Sequence, residues 1–108
     1  MKTLKFRANL VPLILSGEKT STWRLFDDKD LQTGDELEFL NKETGEHVAY
    51  ATALRVITRP MGKLKEEEIE GHEKYASTEE MYATFSGYYN EPIGPETPVT
   101  IVWFELKK

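Results

Sequence analysis

A chain of 108 residues with 39% hydrophobic and 11% aromatic side chains has the size and composition of one globular domain, and its formal charge of −5 sets it apart from proteins that coat long nucleic acids. It holds no cysteine, which excludes disulfides, thiolate metal sites, iron–sulfur clusters and a cysteine nucleophile. The main apolar run, Leu10 to Leu15, is far short of the roughly 20 residues of a membrane-crossing helix. Met1 to Arg7 has no signal-peptide core, so the chain is expected to be cytoplasmic.

Thr3 to Arg7 alternates as a strand does, with Leu4 and Phe6 on one face. Asn9 is placed to cap a short buried helix through Leu10–Leu15, in which Pro12 falls in the first turn and Gly17 suits a left-handed stop. The β-branched and aromatic run Thr20 to Leu25 predicts a strand with Thr20, Thr22 and Arg24 on one face and Trp23, with Leu25, on the other, in the core. Asp27 to Asp30 reads as an exposed loop. Asp35 fixes a turn before a strand at Glu36–Leu40, and Asn41–Gly45 turns into a longer strand from His47 to Thr58, with Val48, Tyr50, Thr52, Leu54 and Val56 expected on one face. Pro60 and Gly62 end it. Leu64–Ile69 has the composition of a short acidic helix. Ser77 or Thr78 then caps a helix carrying Met81, Tyr82 and Phe85, with Glu80 as capping-box partner of Ser77. Tyr88 to Pro98 reads as a rigid loop and Val99–Leu106 as the last strand. Strands that outnumber helices predict an α+β fold, a small, partly closed barrel decorated by helices, as one domain over residues 1–108.

Charge is unevenly spread. Residues 1–24 hold Lys2, Lys5, Arg7, Lys19 and Arg24 against Glu18, a local balance of +4, which leaves −9 for the remainder. An anionic ligand is therefore drawn to the N-terminal quarter. Within it, Gly17-Glu18-Lys19-Thr20-Ser21-Thr22-Trp23-Arg24 places cations and hydroxyls at a helix-to-strand junction. Arg24 offers a planar, bidentate grip on a phosphate or base edge. Lys19, if desolvated, can take a proton from a hydroxyl such as Thr22, which shares a strand face with Arg24. The structural alternative makes Gly17 a helix stop and Lys19 and Arg24 solvated surface charges. His47 and His72 have no ligand spacing, and no Gly-rich phosphate loop or nucleophile elbow is present.

The segment resembles the Gly-x-Lys-x-x-x-x-Arg signature of the ASCH domain, with Gly17, Lys19 and Arg24 in place. The Gly34-Asp35 turn, the Glu70-Gly71 pair and the closing strand extend the resemblance over nearly the whole chain. It implies a PUA-like β-barrel of about five to six strands with two or three helices, and nucleoside or RNA binding in a cleft beside the motif. It further resembles the small acetylcytidine amidohydrolase members, which use a lysine, a threonine three residues later and a downstream glutamate. Lys19 and Thr22 match the first two, and Glu73, with Glu70 as the alternative, the third.

Three readings follow. The first is a module that holds a nucleoside or short RNA segment with Gly17, Lys19, Arg24 and Glu70 at the site. The second is an amidohydrolase, needing no metal or cofactor, in which Thr22 attacks an acyl carbon or orients a water that does, Lys19 takes the proton, Arg24 binds substrate or the oxyanion and Glu73 protonates the leaving amine or holds Lys19 in place. The third is a protein-interaction domain in which the motif is architectural.

Overall fold

The computed structural model describes residues 1–26, 29–69 and 75–107. Five strands, β1 (Lys2–Phe6), β2 (Ser21–Leu25), β3 (Glu36–Asn41), β4 (His47–Pro60) and β5 (Pro98–Leu106), form one curled half-barrel sheet in the order β1-β3-β4-β5-β2. The β1–β3 pair is parallel and the other three are antiparallel. Among the described residues three α-helices accompany the sheet: α1 (Val11–Ser16), α2 (Glu66–Ile69) and α3 (Thr78–Tyr89). This is the α+β half-barrel expected from the sequence, with β1 and β2 as its two edges.

The sheet is buried on both sides. Leu4, Phe6, Ile14, Leu37, Phe39, Val102 and Phe104 pack inside the curl, while Trp23, Leu25, Met61, Phe85, Val99 and Ile101 pack on the outer face under α3. β5 serves both cores, which is why Val99–Phe104 is almost continuously apolar. Trp23 lies in the outer core as its alternation with Arg24 predicts.

β4 departs from the simple alternation. Its register slips between Ala53 and Arg55, and the β3–β4 pairing slips near Val48, so each bulge switches the face of the residues that follow. Ala51 and Ala53, not Tyr50 and Leu54, therefore point into the curl. Tyr50 and Leu54 are 45% and 52% exposed, and Val48 and Val56 pack against the inner core. Alanines fit there because Leu37 and Leu106 opposite Ala51, and Phe104 opposite Ala53, fill the space.

Asn9 does not cap α1: it lies in a 3-10 turn, Ala8–Leu10, that runs directly into the helix. Pro12 and the left-handed Gly17 (φ +85°) stand where expected. α3 starts at Ser77, whose Oγ accepts the Glu80 N–H at 3.1 Å, while the Glu80 carboxylate accepts from Ala76 N–H rather than from Ser77. It also runs further than its sequence suggests, so Tyr88 and Tyr89 are its last turn and not a loop. Asp35 fixes its turn: its carboxylate accepts the Gln32 N–H at 2.8 Å.

Candidate functional site

The two edge strands leave a seam, and the seam is where the sequence motif comes to lie. Gly17 takes the left-handed conformation that ends α1, and the chain turns so that Lys19 N–H donates to Leu13 O at 3.0 Å before entering β2. This buries Lys19 to 3% exposure and Thr22 to 4%. Neither is a solvated surface residue. Both line a cleft of about 160 Å³ beside the seam.

Arg24 spans the seam. Its Nη2 donates to Lys5 O on β1 at 2.7 Å, and its guanidinium carbon sits 4.8 Å from the Phe6 ring centre. The bond joins the sheet's two edges, so this arginine shapes the cleft wall as well as charging it.

Two further cations line the cleft, Arg7 of the basic N-terminal quarter and Lys42, which arrives by a route that the sequence does not display. In the parallel β1–β3 pair Phe6 stands opposite Asn41, so the residues that follow each strand, Arg7 and Lys42, emerge together. Lys42 N–H donates to Phe6 O at 2.7 Å and holds that junction. Parallel pairing between segments more than thirty residues apart has no local signal. Among the described lining residues there are thus five cations, Lys5, Arg7, Lys19, Arg24 and Lys42, and no carboxylate.

The opposite wall is aromatic. Phe85 of α3 stacks on Trp23 with ring centres 5.7 Å apart, and Tyr75 packs against both. Tyr89 anchors the end of α3 to β2, its hydroxyl accepting the Leu25 N–H at 3.1 Å. Tyr88 lies at the mouth with the Arg7 guanidinium 4.2 Å above its ring. An aromatic signal was present in the sequence, but its placement on a helix facing the motif depends on α3 continuing through Tyr89. Gly17 does not line the cleft; it sets the path of the chain that buries Lys19. Glu70 and Glu73 lie outside the described residues. Glu68 in the same acidic run is 2% exposed, accepting from Lys65 N–H and paired with Arg59 Nε at 3.3 Å, so that part of the run is not a solvated face.

The arrangement offers an anion or a polar ring a cluster of donors over a floor that carries a buried amine and a buried hydroxyl. Among the described residues no three His, Asp or Glu side chains gather as a metal site, and no helix is long and apolar enough to cross a membrane. His47 stands apart, bonded to Glu38 at 2.8 Å.

No family model and no curated protein matches the sequence. Solved structures do. A protein of family DUF984 from Enterococcus faecalis superposes with TM-score 0.73 at 22% identity, covering 91% of this chain and 69% of its own. The ASCH domain from Lactobacillus crispatus gives TM-score 0.71 at 15% identity, over 97% of this chain and 78% of that one. Hypothetical protein PH0355 gives 0.74 at 23% identity, covering 99% of this chain and 100% of its own. At these identities the likeness is one of fold.

Proposed function

From an ASCH-domain fold whose open seam is ringed by cations, we propose that this protein binds a nucleoside, or a short RNA segment, in the basic cleft. The observation that carries this reading is the lining itself: five cations, the buried Lys19 among them, and three tyrosines beside the buried Thr22, with no carboxylate among the described residues. Cations suit phosphate or carbonyl oxygens, and tyrosine faces suit a planar base. Titration calorimetry with cytidine, cytidine 5′-monophosphate and a five-nucleotide oligoribonucleotide tests it. Lys42→Gln is expected to weaken the two phosphate-bearing ligands several-fold, since it removes a cleft cation from the chain's surface. Absence of binding by all three ligands would overturn the reading.

A second reading, hydrolysis of an acylated nucleoside such as acetylcytidine, is favoured by the burial of Lys19 and Thr22 in one cleft. In it the Thr22 hydroxyl adds to the acyl carbon as Lys19 takes its proton, and the carbon–nitrogen bond breaks as the amine gains a proton from Glu73 or Glu70. Water then releases the acyl group from Thr22. In this reading Arg24, which also donates to Lys5 O, binds substrate or the developing oxyanion. Chromatography of cytidine released from acetylcytidine separates the readings. Turnover that disappears in Thr22→Val, with binding retained, supports the enzyme; binding without turnover in the unmodified protein leaves the binding module.

A further inference from the structure

Tyr88 stands at the mouth of the cleft, and one face of its ring is already taken. The Arg7 guanidinium lies 4.2 Å from the ring centre. Both side chains line the cleft, so the covered face is one that a ligand there would meet. Tyr88 is 44% exposed, whereas Trp23 and Phe85, the stacked pair of the aromatic wall, are 4% exposed each. Those two rings cannot receive a planar ligand without repacking the outer core, and Tyr88 can.

The backbone fixes both partners and leaves a weak contact between them. Tyr88 sits in the last turn of α3, which Tyr89 ties to Leu25 N–H at 3.1 Å, and Phe85 packs across it at 80° with ring centres 5.6 Å apart. On the other side Lys42 N–H donates to Phe6 O at 2.7 Å and Leu10 N–H to Arg7 O at 2.9 Å, so the chain is held on either side of the Arg7 side chain. The guanidinium itself has no carboxylate partner among the described residues. Glu43, next to Lys42 in the chain, accepts the Ala8 N–H at 2.8 Å instead.

The relative strength of two contacts decides what a ligand does to this pair. An exposed cation–π contact is weak, and a hydrogen-bonded pair of guanidinium and phosphate is stronger. A phosphate that enters among Lys5, Arg7 and Lys42 therefore wins the guanidinium from the ring. A neutral nucleoside offers no such exchange and meets a covered face. We infer that Arg7 is a latch on Tyr88: a phosphate on the ligand draws the guanidinium away, and the uncovered ring stacks the ligand's base. The cleft thus selects phosphate-bearing nucleotides over free nucleosides, through a change of partner at one arginine. This rests on the nucleoside-binding reading and narrows its ligand to one that carries a phosphate.

Titration calorimetry with cytidine and cytidine 5′-monophosphate tests the latch. Arg7→Ala is expected to move the two affinities in opposite directions. Cytidine should tighten roughly two- to fivefold, because the cation–π contact it had to break is gone. The monophosphate should weaken about tenfold, having lost a phosphate partner. Tyr88→Leu added to Arg7→Ala should erase the cytidine gain, and Lys42→Gln should weaken the monophosphate without tightening cytidine; thermal melting confirms that each variant folds. Side-chain NMR of the unmodified protein gives an independent reading, since the Arg7 Cδ protons, shifted upfield by the Tyr88 ring, should return toward their ordinary position as the monophosphate saturates the cleft. An Arg7 signal that stays in place overturns the latch. So does an Arg7→Ala that weakens both ligands, which makes the guanidinium the platform, or one that weakens the monophosphate alone, which makes it a plain charge; in these cases the nucleoside reading stands. Failure of both ligands to bind the unmodified protein overturns the latch and the nucleoside reading together.

Discussion

Gly17 holds φ +85° at the end of α1, where an added Cβ would meet nothing within 4 Å but the backbone itself would be strained. Gly17→Ala is therefore expected to cost about 1 kcal/mol, read as a fall of several degrees in melting temperature. The same change reaches the cleft, since the turn directs Lys19 to its buried place. Asp35 makes a different kind of claim. Lys2 Nζ lies 2.8 Å from its carboxylate and Gln32 N–H donates to the same oxygen, so the Asp35 pKa is lowered, first by the Lys2 bond and then by the backbone bond. A carboxyl depressed by folding stabilises the fold fully above its unfolded pKa and loses that contribution as pH falls through the folded value. Denaturant midpoints measured on the acid side are thus expected to fall less steeply for Lys2→Met than for the unmodified protein. The sequence showed Gly17 as a stop and Asp35 as a turn residue, because both act through local backbone geometry. It did not show that Lys19 is buried, since that depends on α1 packing against a sheet assembled from the rest of the chain.

At the scale of elements, Arg24 joins the two edges of the half-barrel. Its charged hydrogen bond to Lys5 O and its stacking on Phe6 hold β1 against β2 across the seam. Arg24→Met keeps aliphatic contact with Phe6 and removes the bond, so a stability loss of roughly 1.5–3 kcal/mol is expected from urea unfolding. Amide exchange should speed up in β1 more than in β4, because β1 is an edge strand and β4 lies between β3 and β5. Arg24→Lys is expected to restore little, since an ammonium cannot span and stack at once. The strands, their order in the chain and the motif's position on β2 were legible as local patterns. The β4 bulges were not: two slips in pairing moved Ala51 and Ala53 inside and left Tyr50 and Leu54 out, and no local pattern encodes a partner's register. The same limit hid Lys42, which meets Arg7 only because β1 and β3 pair in parallel.

For the molecule as a whole, charge is sorted by place and not by amount. A chain of net charge −5 presents five cations at one cleft, so attraction of an anion is local, while the remaining surface repels a long polyanion. This fixes how binding should respond to salt. Each phosphate contact to a single strand contributes a slope of about −0.7 in log affinity against log salt. With five cleft cations, the slope for a short oligoribonucleotide is expected to be no steeper than about −3.5. Fluorescence anisotropy with a labelled five-nucleotide strand, over roughly 50–300 mM potassium chloride, measures it directly. Lengthening the strand to twenty nucleotides should leave the slope unchanged, because added phosphates meet acidic surface. A slope that steepens with length would reveal a second basic track outside the seam and would shift the ligand from a nucleoside or short segment to an extended RNA.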